Sequence, residues 1–335
     1  MLVCAHFAPD GYWEAMQEDR VVEWWTALLF LAAGVIALQG AVSQRRLGDA
    51  LVGLFCIFVA GEELSWGQRL IGYTPPPAFL EHNTQQELNL HNFRDLLGRP
   101  KWLLAGILGG YGLLVPAVAR TRSGRRILDA VRLTAPPVGA APWFAAAIVL
   151  LVWYPVEFTG EWVETLAGGL FLATLGGRAG AVTATAIVGL GAAVVLSVAS
   201  ARRAASPELL ACARDEVRVL SGELASNATA RLRRMRRVHK RVWTAAQDGY
   251  VRGDAARALG AVSCRGTDVE ASANRRRFLV DPWGTAYWLL ADKKAGEETR
   301  ELAVYSFGPN RRRDGEAGLG GGDDIIARAE FLPSP

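Results

Sequence analysis

Before residue 200 the sequence holds six apolar windows: Val21 to Val42, Leu47 to Ala60, Lys101 to Ala119, Pro142 to Phe158, Trp162 to Gly176 and Ala179 to Ser200. Windows that reach or approach the roughly 20 residues needed to cross a bilayer leave few soluble folds open to a chain. Each is therefore read as a transmembrane helix. Composition agrees, since 51% of the 335 residues are hydrophobic and the mean hydropathy is positive, too apolar for an ordinary soluble protein. From about Ser206 the chain turns polar and Arg-rich. The expected fold is an α-helical membrane bundle of about six transmembrane helices over residues 1 to 203, a helical connector over 204 to 260, and a small soluble α+β domain over 261 to 335.

Charge sets the expected orientation. The formal net charge of +4 is an arginine effect, because Lys occurs only at positions 101, 240, 293 and 294. Arg45 and Arg46 follow the first window, and Arg120, Arg122, Arg125, Arg126 and Arg132 follow the third, whereas the segments near Glu62 and Glu157 are acidic. By the positive-inside rule the N-terminus, the 61 to 100 stretch and the turn from Glu157 to Glu161 lie outside a bacterial inner membrane. With six spans the C-terminal domain is outside as well. With five, the window containing Gly168 and Gly169 failing to cross, the tail is cytoplasmic, an arrangement that Arg202 and Arg203 favour. The short-loop charges weigh more heavily. No basic, apolar signal peptide opens the chain, so the first helix is expected to act as an uncleaved anchor.

The stretch 61 to 98 is unlike an ordinary loop. Lying between two apolar windows, it carries Glu62, Glu63, Ser65, Arg69, His82, Glu87, His91 and several Asn and Gln residues, and ionisable groups at membrane depth cost roughly 2.5 kcal/mol or more each. On a helix Glu62, Ser65 and Arg69 would share a face. After Gly72 and the Pro75-Pro76-Pro77 turn, a second helix from Asn83 to about Leu97 would align Glu87 with His91. Three readings stand at this point. A re-entrant or interfacial hairpin could satisfy its own polar groups through Glu62, Arg69, Gln85 and Asn89. Glu62 or Glu63 with Glu87 and His91 would make a carboxylate–imidazole set suited to zinc or iron. Ser65 with His91 would suit nucleophilic chemistry, and proton, ion or small-molecule passage belongs to the same group of readings. A short echo, Glu23 before Leu29 to Ala32 and Glu164 before Leu170 to Ala173, nominates Glu157, Glu161 and Glu164 as partners of this stretch.

A serine, acids and histidines in a helical bundle resemble the ceramidase-type intramembrane hydrolases. That pattern takes three histidine ligands, so His6 would have to join His82 and His91. The segments GEELSWGQR and ELNLHN resemble part of bacterial polytopic membrane proteins, which implies a lineage and no activity.

Four cysteines make no metal-finger spacing. Cys56 reads as a buried thiol, and Cys212 and Cys264 would pair only in an oxidising compartment. Residues 207 to 259 read as helix, capped by Ser206 with Pro207 in the first turn. Within it the basic run from Arg231 to Arg241 suits solvent or anionic lipid headgroups. Nucleic acid is the weakest reading of that run, since no aromatic stacking platform accompanies it in sequence.

The end of the chain carries three motifs in order: Phe278-Leu-Val-Asp-Pro-Trp-Gly-Thr-Ala-Tyr287, Val304-Tyr-Ser-Phe-Gly-Pro-Asn310 and Gly320-Gly-Gly-Asp-Asp-Ile325. Asp281 to Gly284 has turn composition, and Thr285 to Leu290 with Leu302 to Phe307 would make a hairpin. Together the motifs resemble the C-terminal domain of the type II secretion major pseudopilin. The resemblance implies a calcium-binding loop using Asn310, Asp323 and Asp324, with Ser306 and backbone carbonyls completing the shell. It also implies partners among envelope or secretion proteins. Two functions follow: a membrane-anchored interaction or scaffold protein, or an intramembrane metal-dependent enzyme built on Glu62, Glu63, Glu87 and His91.

Overall fold

The computed structural model describes residues 15–16, 20–83, 86–93, 100–155, 158–176, 179–262, 264, 273–292, 300–311, 313–314 and 321–331. His6, Gln85 and Glu157 lie outside these residues, as does the side chain of Arg69. The chain forms two compact units, one of Met1–Gly67, Asn89–His91 and Asp95–Ala199, the other of Gln68–Leu88, Asn92–Arg94 and Ser200–Pro335.

The first unit has a helix at every apolar window: α1 Val21–Gln44, α2 Leu47–Glu63, α3 Pro100–Gly109, α4 Ala141–Trp153, α5 Thr159–Leu175 and α6 Ala179–Ala204. α3 runs on through a π-helical turn, Gly110–Leu114, into Val115–Val118. Among the described residues three stretches, Val21–Gln44, Lys101–Val118 and Val182–Ala204, are both long and apolar enough to cross a membrane. In the second and third of these only 17% and 11% of the apolar window is buried inside the protein. Val188 and Val195, for example, are 70% and 67% exposed. A surface of that kind is unfavourable against water and neutral against lipid tails, so the unit is that of a membrane protein.

Its interior gathers around Phe171. The ring stacks on Tyr111 at 4.9 Å between centroids and meets Phe55, Phe30 and Phe144 at 5.6, 5.9 and 6.1 Å. Small residues let the helices approach this closely. A Cβ on Gly34 would lie 2.9 Å from the Gly53 carbonyl across the α1–α2 crossing, and one on Gly112 would lie 2.0 Å from the Phe144 ring. α1 and α5 run parallel, with Thr26 Oγ1 and Thr165 Oγ1 hydrogen-bonded at 2.7 Å and Gly168 facing Leu29 and Phe30.

The two ends of this bundle differ in charge. At one end Arg132 Nη1 donates to the Arg45 carbonyl at 2.8 Å, and buried Asp49 accepts from Thr134 N and Oγ1 at 2.6 Å each. At the other lie the starts of α1 and α5 and the end of α2, with Glu23, Glu161, Glu164, Glu62 and Glu63.

In the second unit α7, Pro207–Ser226, packs on an antiparallel sheet of order β1-β2-β3-β4: Arg237–Arg241, Trp288–Asp292, Arg300–Ser306 and Ile325–Phe331. Ser206 Oγ accepts from Leu209 N at 3.3 Å, the expected cap. The apolar stripe of α7, Leu209, Ala213, Val217, Leu220 and Leu224, meets Leu289, Ala291, Leu302 and Val304 of the central strands. The expected hairpin is present as β2 and β3, with Trp288 opposite Tyr305.

The continuous helix expected over 207 to 259 is not formed. It stops at Ser226, and the basic run is divided: Arg231, Arg233 and Arg234 fall in the short helix Ala230–Arg234, and Arg237–Arg241 becomes edge strand β1, where alternation puts Val238 in the core and leaves Arg237 exposed. Residues 204 to 260 are thus part of the C-terminal unit's sheet and core rather than a separate connector.

Residues 68 to 88 also belong to this unit. Leu80, in the short helix Pro77–His82, is fully buried against Phe278 and Val280. Leu88 N donates to Gln68 Oε1 at 2.8 Å, and the Arg203 guanidinium donates to the Leu70 and Ile71 carbonyls.

Candidate functional sites

In the membrane unit α2 ends at Glu63 because Ser65 and Trp66 take left-handed backbone angles, φ 45° and 53°. Non-glycine residues adopt that region only when their surroundings compensate the strain. The shared helical face expected for Glu62, Ser65 and Arg69 is therefore absent. Instead the break turns Trp66 back so that its indole Nε1 donates to Glu62 Oε1 at 2.9 Å. Glu62 Oε2 accepts from Leu90 N at 2.5 Å and His91 N at 3.2 Å, and Ser65 Oγ accepts from Asn89 Nδ2 at 3.0 Å. Glu62, Ser65 and Asn89 are all buried. This is a polar latch, with one carboxylate and one hydroxyl holding the backbone of 89 to 91 against the end of α2.

The expected helix from Asn83 to Leu97 is likewise absent, since residues 86 to 93 run without helical structure. Glu87 and His91 are consequently not one turn apart. Glu87 lies in the other unit, its carboxylate 3.6 Å from Arg311 Nη1, while His91 Nδ1 is 3.9 Å from Glu62 Oε2. Among the described contacts Glu62 meets His91 and Glu87 meets Arg311. Glu63 instead feels the charges of Glu164, Glu161, Glu23 and Glu62. The short echo around Glu23 and Glu164 was the sequence signal for that gathering.

In the C-terminal unit the Gly/Asp loop brings Asn310, Asp323 and Asp324 together with Asp314, which the motifs did not single out. Asn310 Nδ2 donates to Asp314 Oδ2 at 2.7 Å, Asn310 N to Asp323 Oδ2 at 3.0 Å, and Asp314 N to Asp324 Oδ2 at 3.2 Å. Asp323 Oδ1 is buried and accepts no hydrogen bond. Burial, with Asp314 alongside, pushes the Asp323 carboxyl up to about 6. An oxygen-only donor set with a buried oxygen left over suits a hard cation. Ser306, expected in the shell, is engaged by the neighbouring turn: its hydroxyl donates to Asp281 Oδ2 at 2.5 Å and accepts from Gly308 N at 3.0 Å.

Asp281 is the centre of the DPWG turn. Fully buried, it also accepts from Trp283 N at 3.0 Å and Thr285 N at 2.8 Å, while Gly284 supplies the positive φ, +90°, that the turn needs. Burial pushes its carboxyl up to about 6 even though the Ser306 and Thr285 donors and the charges of Arg311 and Arg275 pull it down.

A second interior network had no motif to announce it. Glu216 on α7 is fully buried and pairs with Arg275, whose Nη1 lies 3.0 Å from Oε2; the Tyr287 hydroxyl donates to the same carboxylate. Burial and the neighbouring Glu216 push the Tyr287 hydroxyl well above its ordinary range. Cys212 and Cys264 form a disulfide beside them. Those sulfurs and Glu216 lie close enough together to hold a metal ion when reduced, but Arg275 and Tyr287 already occupy the carboxylate.

No protein-family model, curated protein or solved structure matches this chain.

Proposed function

We propose that this is a multi-pass protein of the bacterial inner membrane that works as an anchored interaction or scaffold module, presenting a pseudopilin-like α+β domain outside the cytoplasm to envelope or secretion proteins. The observation that carries this reading is the fate of the polar stretch. Its 68 to 88 segment is built into the C-terminal unit through Leu80 and the Glu87–Arg311 pair, and Glu62 and Ser65 are engaged in holding residues 89 to 91. Side chains so occupied support a structural role for the stretch.

The same segment supports the sidedness. Residues 68 to 88 and 200 to 335 share one compact unit, which supports one side of the membrane for both, and the positive-inside rule applied to the loops carrying Arg45, Arg46 and Arg120 to Arg132 favours the outside for that side. Six crossings satisfy this arrangement, and the Cys212–Cys264 disulfide fits an oxidising compartment. A periplasm-active reporter fused after Pro335 tests it; activity only from a cytoplasmic reporter rejects the orientation. Calcium is the proposed ligand of Asn310, Asp314, Asp323 and Asp324, and elemental analysis with and without chelator reads it directly.

A second reading, a metal-dependent intramembrane enzyme, draws support from the carboxylates gathered around Glu63. Stoichiometric zinc or iron in the full-length protein, lost in Glu63→Gln, would favour it over the scaffold. Retention of metal in His91→Ala would show that the imidazole in the original ligand set is dispensable.

A further inference from the structure

Arg275, Arg276 and Arg277 are consecutive in the helix Ala273–Phe278, and a rotation of about 100° per residue sends them in different directions. Arg275 goes inward to Glu216. Arg276 and Arg277 point to the other side, where with Arg257 of the helix Ala255–Gly260 they line an open groove of about 630 Å³. Among the described residues Asp254 is the acid of that groove. Its Oδ1 is committed to capping the helix by accepting from Arg257 N at 2.9 Å, and its Oδ2 stands 3.9 Å from Arg257 Nε. Among the described lining residues one carboxylate stands against three guanidinium groups, an excess of positive charge.

The geometry keeps that charge in place. A Cβ on Gly260 would lie 3.0 Å from Arg276 Cδ and 3.3 Å from its Nη1, so the bare glycine is what lets the Arg276 side chain lie across the helix end. Arg277 rests over the Phe278 ring at 5.3 Å, a contact that orders its side chain. Guanidinium forks held in this way match the oxygens of a phosphate group, which they bind in bidentate fashion.

We infer that the Arg257–Arg276–Arg277 groove is an anion site for a phosphate-bearing ligand, either a phospholipid headgroup or a soluble phosphate. The test uses the full-length protein in lipid nanodiscs and reads amide hydrogen exchange in peptides covering 254 to 261 and 275 to 280. In discs of phosphatidylcholine alone, inorganic phosphate is titrated. In a second set, phosphatidylglycerol replaces part of the lipid with no phosphate added. Saturable protection in the first set identifies a soluble phosphate, and protection confined to the second identifies a headgroup.

Either response should weaken about tenfold in half-saturation on Arg276→Ala, comparable to losing one charge-assisted contact. It should be unchanged in Arg328→Ala, which removes the same charge from the sheet. Arg257→Ala and Arg277→Ala should each weaken the same response, a grouping that general basicity does not produce. Protection in neither set, or equal weakening by Arg276→Ala and Arg328→Ala, overturns the inference.

Discussion

Asp281→Asn separates the geometry of the DPWG turn from its charge. Asparagine keeps an oxygen for Trp283 N and Thr285 N, and its amide faces a Ser306 hydroxyl able to accept. What it removes is an ionisable group whose carboxyl sits at about 6 in the fold against an ordinary 3.8. Because the folded value is the higher one, the folded state holds the proton more tightly. The stabilisation is complete below about pH 4 and is lost as pH rises through about 6, a difference of about 3 kcal/mol. In full-length protein in nanodiscs, hydrogen exchange of β2 and β3, corrected for the chemical pH dependence, should show protection falling between pH 4 and 7. Asp281→Asn should lose that part of the slope and be the more protected protein at pH 7. Asp323, also raised to about 6, contributes with the same sign and accounts for a residual slope. Equal slopes in the two proteins, or protection that rises with pH in the wild type, would refute the assignment of a costly buried charge to Asp281.

Four further outcomes follow from the packing. Glu216→Ala leaves Arg275 charged and buried, and should destabilise the C-terminal unit by about 3–5 kcal/mol, seen as lost exchange protection in α7 and β2. Leu80→Ala removes a fully buried side chain and should cost about 2–5 kcal/mol, with deprotection spreading to Ala273–Phe278, which it touches; unaffected exchange there would show that residues 68 to 88 are not part of the unit's core. Gly112→Val drives a side chain into the Phe144 ring and should lower the thermal stability of detergent-solubilised protein by about 1–3 kcal/mol or more, whereas Gly110→Ala, whose Cβ meets nothing within 4 Å, should be neutral. Maleimide labelling of denatured, unreduced protein should miss Cys212 and Cys264 until reductant is added, and labelling without reductant would show that the disulfide is not formed.

The helices of the membrane unit were legible because bilayer thickness imposes a length that apolar runs display directly, from Val21 to Gln44 onward. The Asp281–Gly284 turn and its flanking strands were legible for a related reason: Asp, Pro and Gly act through their own backbones. Ser206 and Pro207 marked the start of α7 in the same way. Tertiary choices were not local. Arg237 to Arg241 reads as the continuation of a helix, but β2 offers an edge and Val238 a side chain to bury, so sheet pairing won. The break at Ser65 and Trp66 depends on Glu62 reaching residues 28 and 29 positions away, and no spacing rule carries that information. Glu87 is another case: its partner is Arg311, more than two hundred residues further on. Glu216, Arg275 and Tyr287 are single residues of common types whose importance arises only where the chain folds back on itself.

The placement of residues 68 to 88 has a consequence for biogenesis. That segment leaves the ribosome long before Ser200, and α3 to α6 must be made in between. Until then Leu80 has no Phe278 to cover it and Glu87 no Arg311. Contacts of such long sequence separation form late and leave apolar surface waiting, so the C-terminal unit closes only after the membrane helices are complete. A nascent chain stalled between these points would expose Leu80 with nothing to cover it.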